Sequence, residues 1–206
     1  MDIMSKITLT YFDIKGNRGQ TARLALELAG KHYIDDRISF EEFRAMKPSL
    51  PFGSVPILQV DEHLFSQSNA INRYVGKTCD LYPSDPLQAA FCDEVMDGVE
   101  DIGNCIAPTM RIKDKEQLKA TRAALSETSI PRYLKGLAKC LKRGGGKHYA
   151  DNKLTIADLK SFVLVRWLIG GILDHIPSDV VKKSAPSLIA HHDMVFKIPK
   201  IMKHYS

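Results

Sequence analysis

Residues 6–11, Lys-Ile-Thr-Leu-Thr-Tyr, alternate polar and apolar side chains, the period of two that turns one face of a strand towards a core. The next eight residues, Phe-Asp-Ile-Lys-Gly-Asn-Arg-Gly, have the composition of a loop. From 20 to 29 the apolar positions fall at helical spacing, and Gly30 supplies a C-terminal stop. A short strand is expected over 33–38 and a helix over 40–46, ended by Lys47-Pro48. An almost wholly apolar strand follows over 55–60, with a partner at 63–65 across an Asp61-Glu62 turn, and a helix over 67–76. The predicted order is strand, helix, strand, helix, strand, strand, helix.

The texture then changes. Tyr82-Pro83-Ser84-Asp85-Pro86 has two prolines around a polar pair and reads as a linker. No strand pattern follows it. Helical spacing runs over 87–110 and 115–142, and Gly144, Gly145 and Gly146 break the second run. Thr155 is placed as an N-cap, with Asp158 as the reciprocal half of a capping box. The helix it starts carries the longest apolar run, 162–173, which is interrupted by Arg166. A membrane-spanning helix needs about 20 apolar residues, so this run is expected in a protein core. The predicted organisation is an α/β domain over 1–82, a linker over 83–86 and an all-helical domain over 87–206.

Composition narrows the function classes. The chain has 206 residues, 44% hydrophobic and 26% charged, the balance of a soluble protein with a substantial core. No secretion-signal pattern opens it. The four cysteines, 79, 92, 105 and 140, form no Cys-x-x-Cys pair; this argues against a zinc site or disulfide framework and for reduced thiols in the cytoplasm. Residues 1–110 hold 10 Lys and Arg against 16 Asp and Glu, and residues 111–206 hold 19 against 8. Within the basic half, Arg132, Lys135, Lys139, Lys142 and Arg143 share a helix face opposite Leu134, Leu137 and Leu141. No aromatic residues interleave the cations, so a solvated outer face is expected rather than nucleic-acid binding. Gly144-Gly145-Gly146-Lys147 is followed by His148, not the Ser or Thr of a phosphate loop.

The first domain has the thioredoxin-like order of elements. Redox members of that fold carry Cys-x-x-Cys after the first strand, where this chain has Tyr11-Phe12-Asp13-Ile14-Lys15-Gly16. Without a thiolate and a resolving partner, dithiol exchange is excluded. A tyrosine there can instead donate a hydrogen bond to the thiolate of a bound ligand and favour its ionised form; alternatively it only packs. In Ser54-Val55-Pro56-Ile57 the proline, cis in folds of this type, is expected to leave the Val55 amide and carbonyl free to pair with a peptide-like ligand; alternatively it is an ordinary edge-strand proline. Gln67 and Ser68 fall at a helix N-terminus, where free amides favour a carboxylate, unless Ser68 is a plain N-cap.

Taken together, residues 39–76, with Met-Asp-Gly-Val-Glu-Asp at 96–101 and Leu-Thr-Ile-Ala-Asp at 154–158, closely resemble the cytosolic glutathione transferases, nearest the sigma class. The resemblance implies a thioredoxin-like N-terminal domain, an all-helical C-terminal domain, glutathione as co-substrate and no metal. It also implies a cytoplasmic homodimer that neither inserts into membranes nor binds nucleic acid. The implied reaction is attack of the glutathione thiolate on a small hydrophobic electrophile; glutathione-dependent isomerisation of a prostaglandin-like substrate and a non-catalytic binding or structural role are the alternatives. Tyr11 then stabilises the thiolate and Arg18 adds positive charge near the sulfur. Phe43 and Lys47 hold the glycine end of glutathione, and Ser54, Val55 and Pro56 meet its middle. Gln67 and Ser68 grip the γ-glutamyl carboxylate, and Asp101 reaches the γ-glutamyl amine bound to the neighbouring subunit. The electrophile is expected between Phe12 and Asn104, Ile106, Thr109 and Met110. The chain departs from the family pattern by one extra residue near Asn17, by Phe43 in place of tryptophan, by Ser54 in place of a longer side chain and by Glu62 in place of a turn glycine.

Overall fold

The computed structural model describes residues 5–14 and 16–206; Lys15, in the loop expected after the first strand, lies outside them. Strand β1 (Ile7–Phe12) pairs in parallel with β2 (Ile34–Ile38) and antiparallel with β3 (Ile57–Val60), which pairs antiparallel with β4 (His63–Ser66). The strand order is β2-β1-β3-β4. A parallel pair needs a crossover, and helix α1 (Gln20–Ala29) supplies it, ending at Gly30 in the left-handed conformation with φ 64°. The β3–β4 turn dispenses with glycine by placing Asp61 at φ 51°, and the Asp61 carboxylate accepts the Lys6 amide at 2.9 Å. Helix α2 (Phe40–Met46) begins in a Ser39–Glu42 capping box, and α3 (Ser68–Thr78) follows β4.

The remaining regular structure is helical: α4 (Pro86–Ile106), α5 (Lys115–Glu127), α6 (Ser129–Arg143), α7 (Ile156–Ile169), α8 (Val180–Ser184), α9 (Pro186–Phe196) and α10 (Pro199–Tyr205). Three expectations are corrected. The helix expected over 87–110 stops at Ile106 and continues as a 3-10 turn, Ala107–Arg111, because Pro108 cannot donate to the helical ladder. The helix expected over 115–142 is two helices, broken at Thr128 just before Pro131. The apolar run 162–173 leaves the helix after Ile169, and Ile172 is 72% exposed.

Helix α7 is buried almost all round, with Leu159, Phe162, Val165 and Leu168 in the main core. Its capping box forms: the Asp158 carboxylate accepts the Thr155 amide at 2.7 Å and the Thr155 hydroxyl at 2.8 Å. Burial pushes the Asp158 carboxyl up, but His148, His191 and Thr155 outweigh it and hold it below the usual carboxylate range. On α6, Leu134, Leu137 and Leu141 face inward and the five cations of the basic stripe are exposed. No helix among the described residues is long and apolar enough to cross a membrane, and the four cysteines are unpaired. The main core runs continuously from β1 to α10; a smaller cluster of Tyr11, Ile38, Leu50, Val55 and Ile57 closes the C-terminal end of β1. That end carries the candidate site.

Candidate active site

Tyr11 is the penultimate residue of β1 and is 5% exposed. Glycine at position 19 makes its placement possible: a Cβ there would lie 2.5 Å from Tyr11 Cδ1 and Cγ. The ring therefore lies close against the start of α1. The fully buried Arg23 of α1 sits 5.9 Å from the Tyr11 ring centre. Its guanidinium bonds Asp35 at 2.7 Å and the carbonyls of Ile14 and Phe12 at 3.2 and 3.3 Å, which ties down the β1–α1 loop. Burial pushes the Tyr11 phenol pKa up, and the Arg18 backbone hydrogen bond with the Arg18 and Arg23 charges offsets only part of that. The hydroxyl is thus a neutral donor throughout the physiological range.

The extra loop residue is absorbed at Asn17, which takes φ 65°, a left-handed conformation that asparagine tolerates. Arg18 follows, with its guanidinium extended to α4. There Nε donates to Glu100 at 2.5 Å and Nη2 to Asn104 at 2.7 Å.

Two adjoining hollows share Arg18 and Glu100. The first, a cleft of about 270 Å3, is lined by Ser54, Val55, Pro56, Gln67 and Ser68, with Asn104 at its rim. The Val55–Pro56 bond is cis. The sheet ladder begins at Ile57, so Val55 precedes it. Gln67 takes φ 74° immediately before α3, an uncommon conformation for a residue with a side chain. Ser68 opens α3, and its hydroxyl donates to Glu100 at 3.0 Å. Phe43 is half-buried beside the small core cluster, and Lys47 is exposed and runs past Gly53; neither lines the cleft.

The second hollow, about 150 Å3, has Tyr11 on one wall and Val99, Met110, Val163, Leu164 and Trp167 on the others. The residues expected to border it are dispersed. Met110 lines it, whereas Asn104 lines the cleft. Ile106 is fully buried in the main core. Thr109 is buried and occupied, donating to the Ile106 carbonyl at 2.7 Å and accepting from Arg122 at 2.9 Å. Phe12 packs between Phe40 and Phe43, with ring centres at 4.6 and 5.3 Å. Ile106 and Thr109 are thus buried inside the fold rather than set on the cavity wall, while the Phe12 ring also meets the Tyr11 ring edge-on at 5.4 Å. Asp101 is exposed on α4 and has no ion-pair or hydrogen-bond partner among the described residues.

Sequence reading missed Glu100 and Lys160. The Glu100 carboxylate receives Arg18 and Ser68, and the Lys160 ammonium of α7 at 2.9 Å. Burial pushes the Glu100 carboxyl up, but Lys160 and Arg18 outweigh it and keep it ionised. The available signal was a lysine inside the most apolar helix of the chain, Ile-Ala-Asp-Leu-Lys-Ser-Phe-Val; a lone cation there must find a carboxylate. Among the described residues, no group of three or more His, Cys, Asp or Glu side chains is arranged to hold a metal ion.

Comparison with known proteins agrees with this construction. Residues 7–77 match the family model described as glutathione S-transferase, N-terminal domain, and residues 100–206 match that described as glutathione S-transferase, C-terminal domain. The chain is 34% identical over 159 residues to glutathione S-transferase 1 of Ascaris suum, covering 76% of this chain and 77% of that protein. It is 31% identical over 198 residues to hematopoietic prostaglandin D synthase of Gallus gallus, covering 96% and 94%. Among solved structures, prostaglandin synthase D of Nilaparvata lugens superposes with a TM-score of 0.84 at 28% identity, covering 97% of this chain and 96% of that one. With a thioredoxin-like sheet that ends on a buried tyrosine, an all-helical second domain and family models matching both, this chain belongs to the glutathione S-transferase family.

Proposed function

We propose that the protein binds glutathione in the cleft, holds its sulfur as a thiolate at Tyr11 and directs it at a hydrophobic electrophile in the adjoining cavity. One observation carries this reading: the hydroxyl-bearing, buried Tyr11 lines a partly apolar cavity, and the polar cleft of Val55, Gln67 and Ser68 shares Arg18 and Glu100 with that cavity. Val55, ahead of the ladder, pairs with the cysteinyl unit as an added strand would. Ser68 and the α3 N-terminus take the γ-glutamyl carboxylate, the Ser68 hydroxyl turning from Glu100 to the ligand. The neutral Tyr11 phenol donates to the sulfur, and a free thiol with pKa about 8.5 becomes mostly thiolate when lowered by one to two units. Phe43 and Lys47 close on the glycine end as the ligand enters.

The motif pattern over 39–76 favours the sigma class and a cytoplasmic homodimer, in which the exposed Asp101 reaches the neighbour's γ-glutamyl amine. A glutathione-dependent isomerase is the second reading, favoured by the likeness to the chicken prostaglandin D synthase along nearly the whole chain. Conjugation of glutathione to 1-chloro-2,4-dinitrobenzene tests the first reading, and product analysis with a prostaglandin endoperoxide tests the second. A purified wild type inactive in both assays would leave a binding or structural relative as the reading.

A further inference from the structure

The electrophile side of the site is braced from behind by a buried cation that thiol activation does not use. Arg122 lies on α5 and is 4% exposed. The side-chain hydrogen bonds it makes among the described residues all end on uncharged acceptors. Nε donates to the Thr109 hydroxyl oxygen at 2.9 Å, Nη1 to the Asp174 carbonyl at 2.9 Å and Nη2 to the Met110 sulfur at 3.1 Å. Burying a cation on neutral partners is costly, so ion pairing does not account for this arginine. Its planar fork instead joins pieces of chain that local structure leaves apart. Two of the bonds fall on successive residues of the 3-10 turn Ala107–Arg111, and the third falls 52 positions away, on the segment that follows α7.

Met110 connects this brace to the chemistry. It lines the cavity beside Tyr11 and yet is 53% exposed. An unbranched, half-exposed methionine ordinarily moves among rotamers, but here the sulfur is held. A thioether is a weak acceptor, so the bond fixes the wall without making it immovable. The segment that carries Asp174 also carries Ile172, which lines a hollow of about 480 Å3 sharing Asn17, Val163 and Trp167 with the cavity. One guanidinium therefore steadies walls of both hollows. A small electrophile meets a wall already in place, and a preorganised wall raises affinity because nothing has to be ordered on binding. A larger electrophile has to push Met110 off its arginine.

Building on the transferase reading, we propose that Arg122 is a positioning residue that sets the size of electrophile the cavity accepts, by holding Met110 and the Asp174 segment in place. Arg122 itself lines neither the cavity nor the cleft, so it acts on the KM of the electrophile through the wall. The Thr109 hydroxyl gives its own proton to the Ile106 carbonyl at 2.7 Å, which leaves its oxygen to accept from Arg122 and pins the turn to the end of α4 at the same point.

The test compares 1-chloro-2,4-dinitrobenzene with 1-chloro-2,4-dinitronaphthalene, which share a leaving group and differ by one fused ring. Arg122→Leu should raise the KM of the benzene roughly fivefold, within the range for one side chain ordered on binding, and leave the KM of glutathione within about twofold. The KM of the naphthalene should stay level or fall. In a Met110→Leu background, which has no sulfur to hold, Arg122→Leu should change the benzene KM by less than about twofold, since the two residues act as a unit. Equal rises for both electrophiles and for glutathione, or additive losses in that cycle, would mean that Arg122 only supports the fold and would overturn the proposal. Should Arg122→Leu fail to fold, the wild type decides. With methionine methyl groups labelled with carbon-13, NMR order parameters should show Met110 more rigid than Met202, which is 47% exposed; equal mobility overturns the proposal. A wild type inactive with both electrophiles overturns the transferase reading, whereas an active wild type with a mobile Met110 overturns this inference alone.

Discussion

The cleft and the cavity meet at Arg18 and Glu100, yet they are built from different materials. Apart from Arg18, Glu100 and Asn104, the cleft is made of consecutive residues, Ser54-Val55-Pro56 and Gln67-Ser68, which bring together the backbone just ahead of a strand and a helix N-terminus. The cavity is made of side chains from β1, α4 and α7, which are separated by up to 156 positions between Tyr11 and Trp167. A backbone-built site tolerates side-chain change, since Phe43 and Ser54 can vary while the Val55 amide and the α3 amides remain. A side-chain-built site changes its chemistry with each substitution. One can therefore expect the thiol-donor half to be common ground among relatives and the electrophile half to carry this protein's individuality.

The sharpest way to break that division is at Tyr11, which lines the cavity beside the shared Arg18 and Glu100. Tyr11→Phe keeps the ring against Gly19 and removes only the donor; kcat should fall at least tenfold, about 1.4 kcal/mol or more of transition-state stabilisation. The pH–rate profile should move to higher pH, since a thiolate without its donor has a raised pKa. An unmoved profile would assign activation to another group. Gly19→Ala approaches the same hydroxyl from outside: the added Cβ, 2.5 Å from the ring carbons, must displace Tyr11. Activity should drop severalfold, and stability by about 1–3 kcal/mol, the usual cost of overpacking; calorimetry beside kinetics separates the two effects.

Asp101→Asn probes the cleft alone. Loss of a charge-assisted contact worth ~1.5–3 kcal/mol should raise the KM for glutathione roughly tenfold with little change in kcat. Sedimentation at micromolar concentration should show a species near twice the 23.1 kDa chain mass, and a monomer with full glutathione affinity would remove the cross-subunit role. Arg18→Ala should have the smallest kinetic effect, about threefold in kcat. In the described structure its guanidinium is engaged by Glu100 and Asn104 rather than by Tyr11. A loss near that of Tyr11→Phe would show that the arginine turns to the sulfur when glutathione binds.

Much of this architecture is written locally. The alternation of 6–11, the Thr155 cap, Gly30 and the Asp61-Glu62 turn each act within a few residues, and each appears where the local pattern places it. The failures share a cause. Pro108 and Pro131 interrupt stretches whose apolar spacing continues unbroken, because spacing records which face is buried and not whether each amide can donate. Ile106 and Thr109 carry the apolar periodicity of a pocket wall, but the same periodicity serves a core, and only packing against α5 and α6 decides between them.

By itself the sequence determined the order of elements in the first domain, the tyrosine near the end of β1, the proline ahead of β3 and the serine at the α3 N-terminus, because these depend on backbone preferences spanning a few residues. Tertiary structure alone decided the rest. It brought Glu100 of α4 between Arg18 and Lys160, residues 82 and 60 positions away, and pressed Gly19 against Tyr11. It also kept Asp101 in solvent while its neighbour on the same helix was drawn into an ion-pair network. Adjacent helical residues point about 100° apart, so two carboxylates next to each other in the chain can meet entirely different partners, and only the surrounding elements determine which.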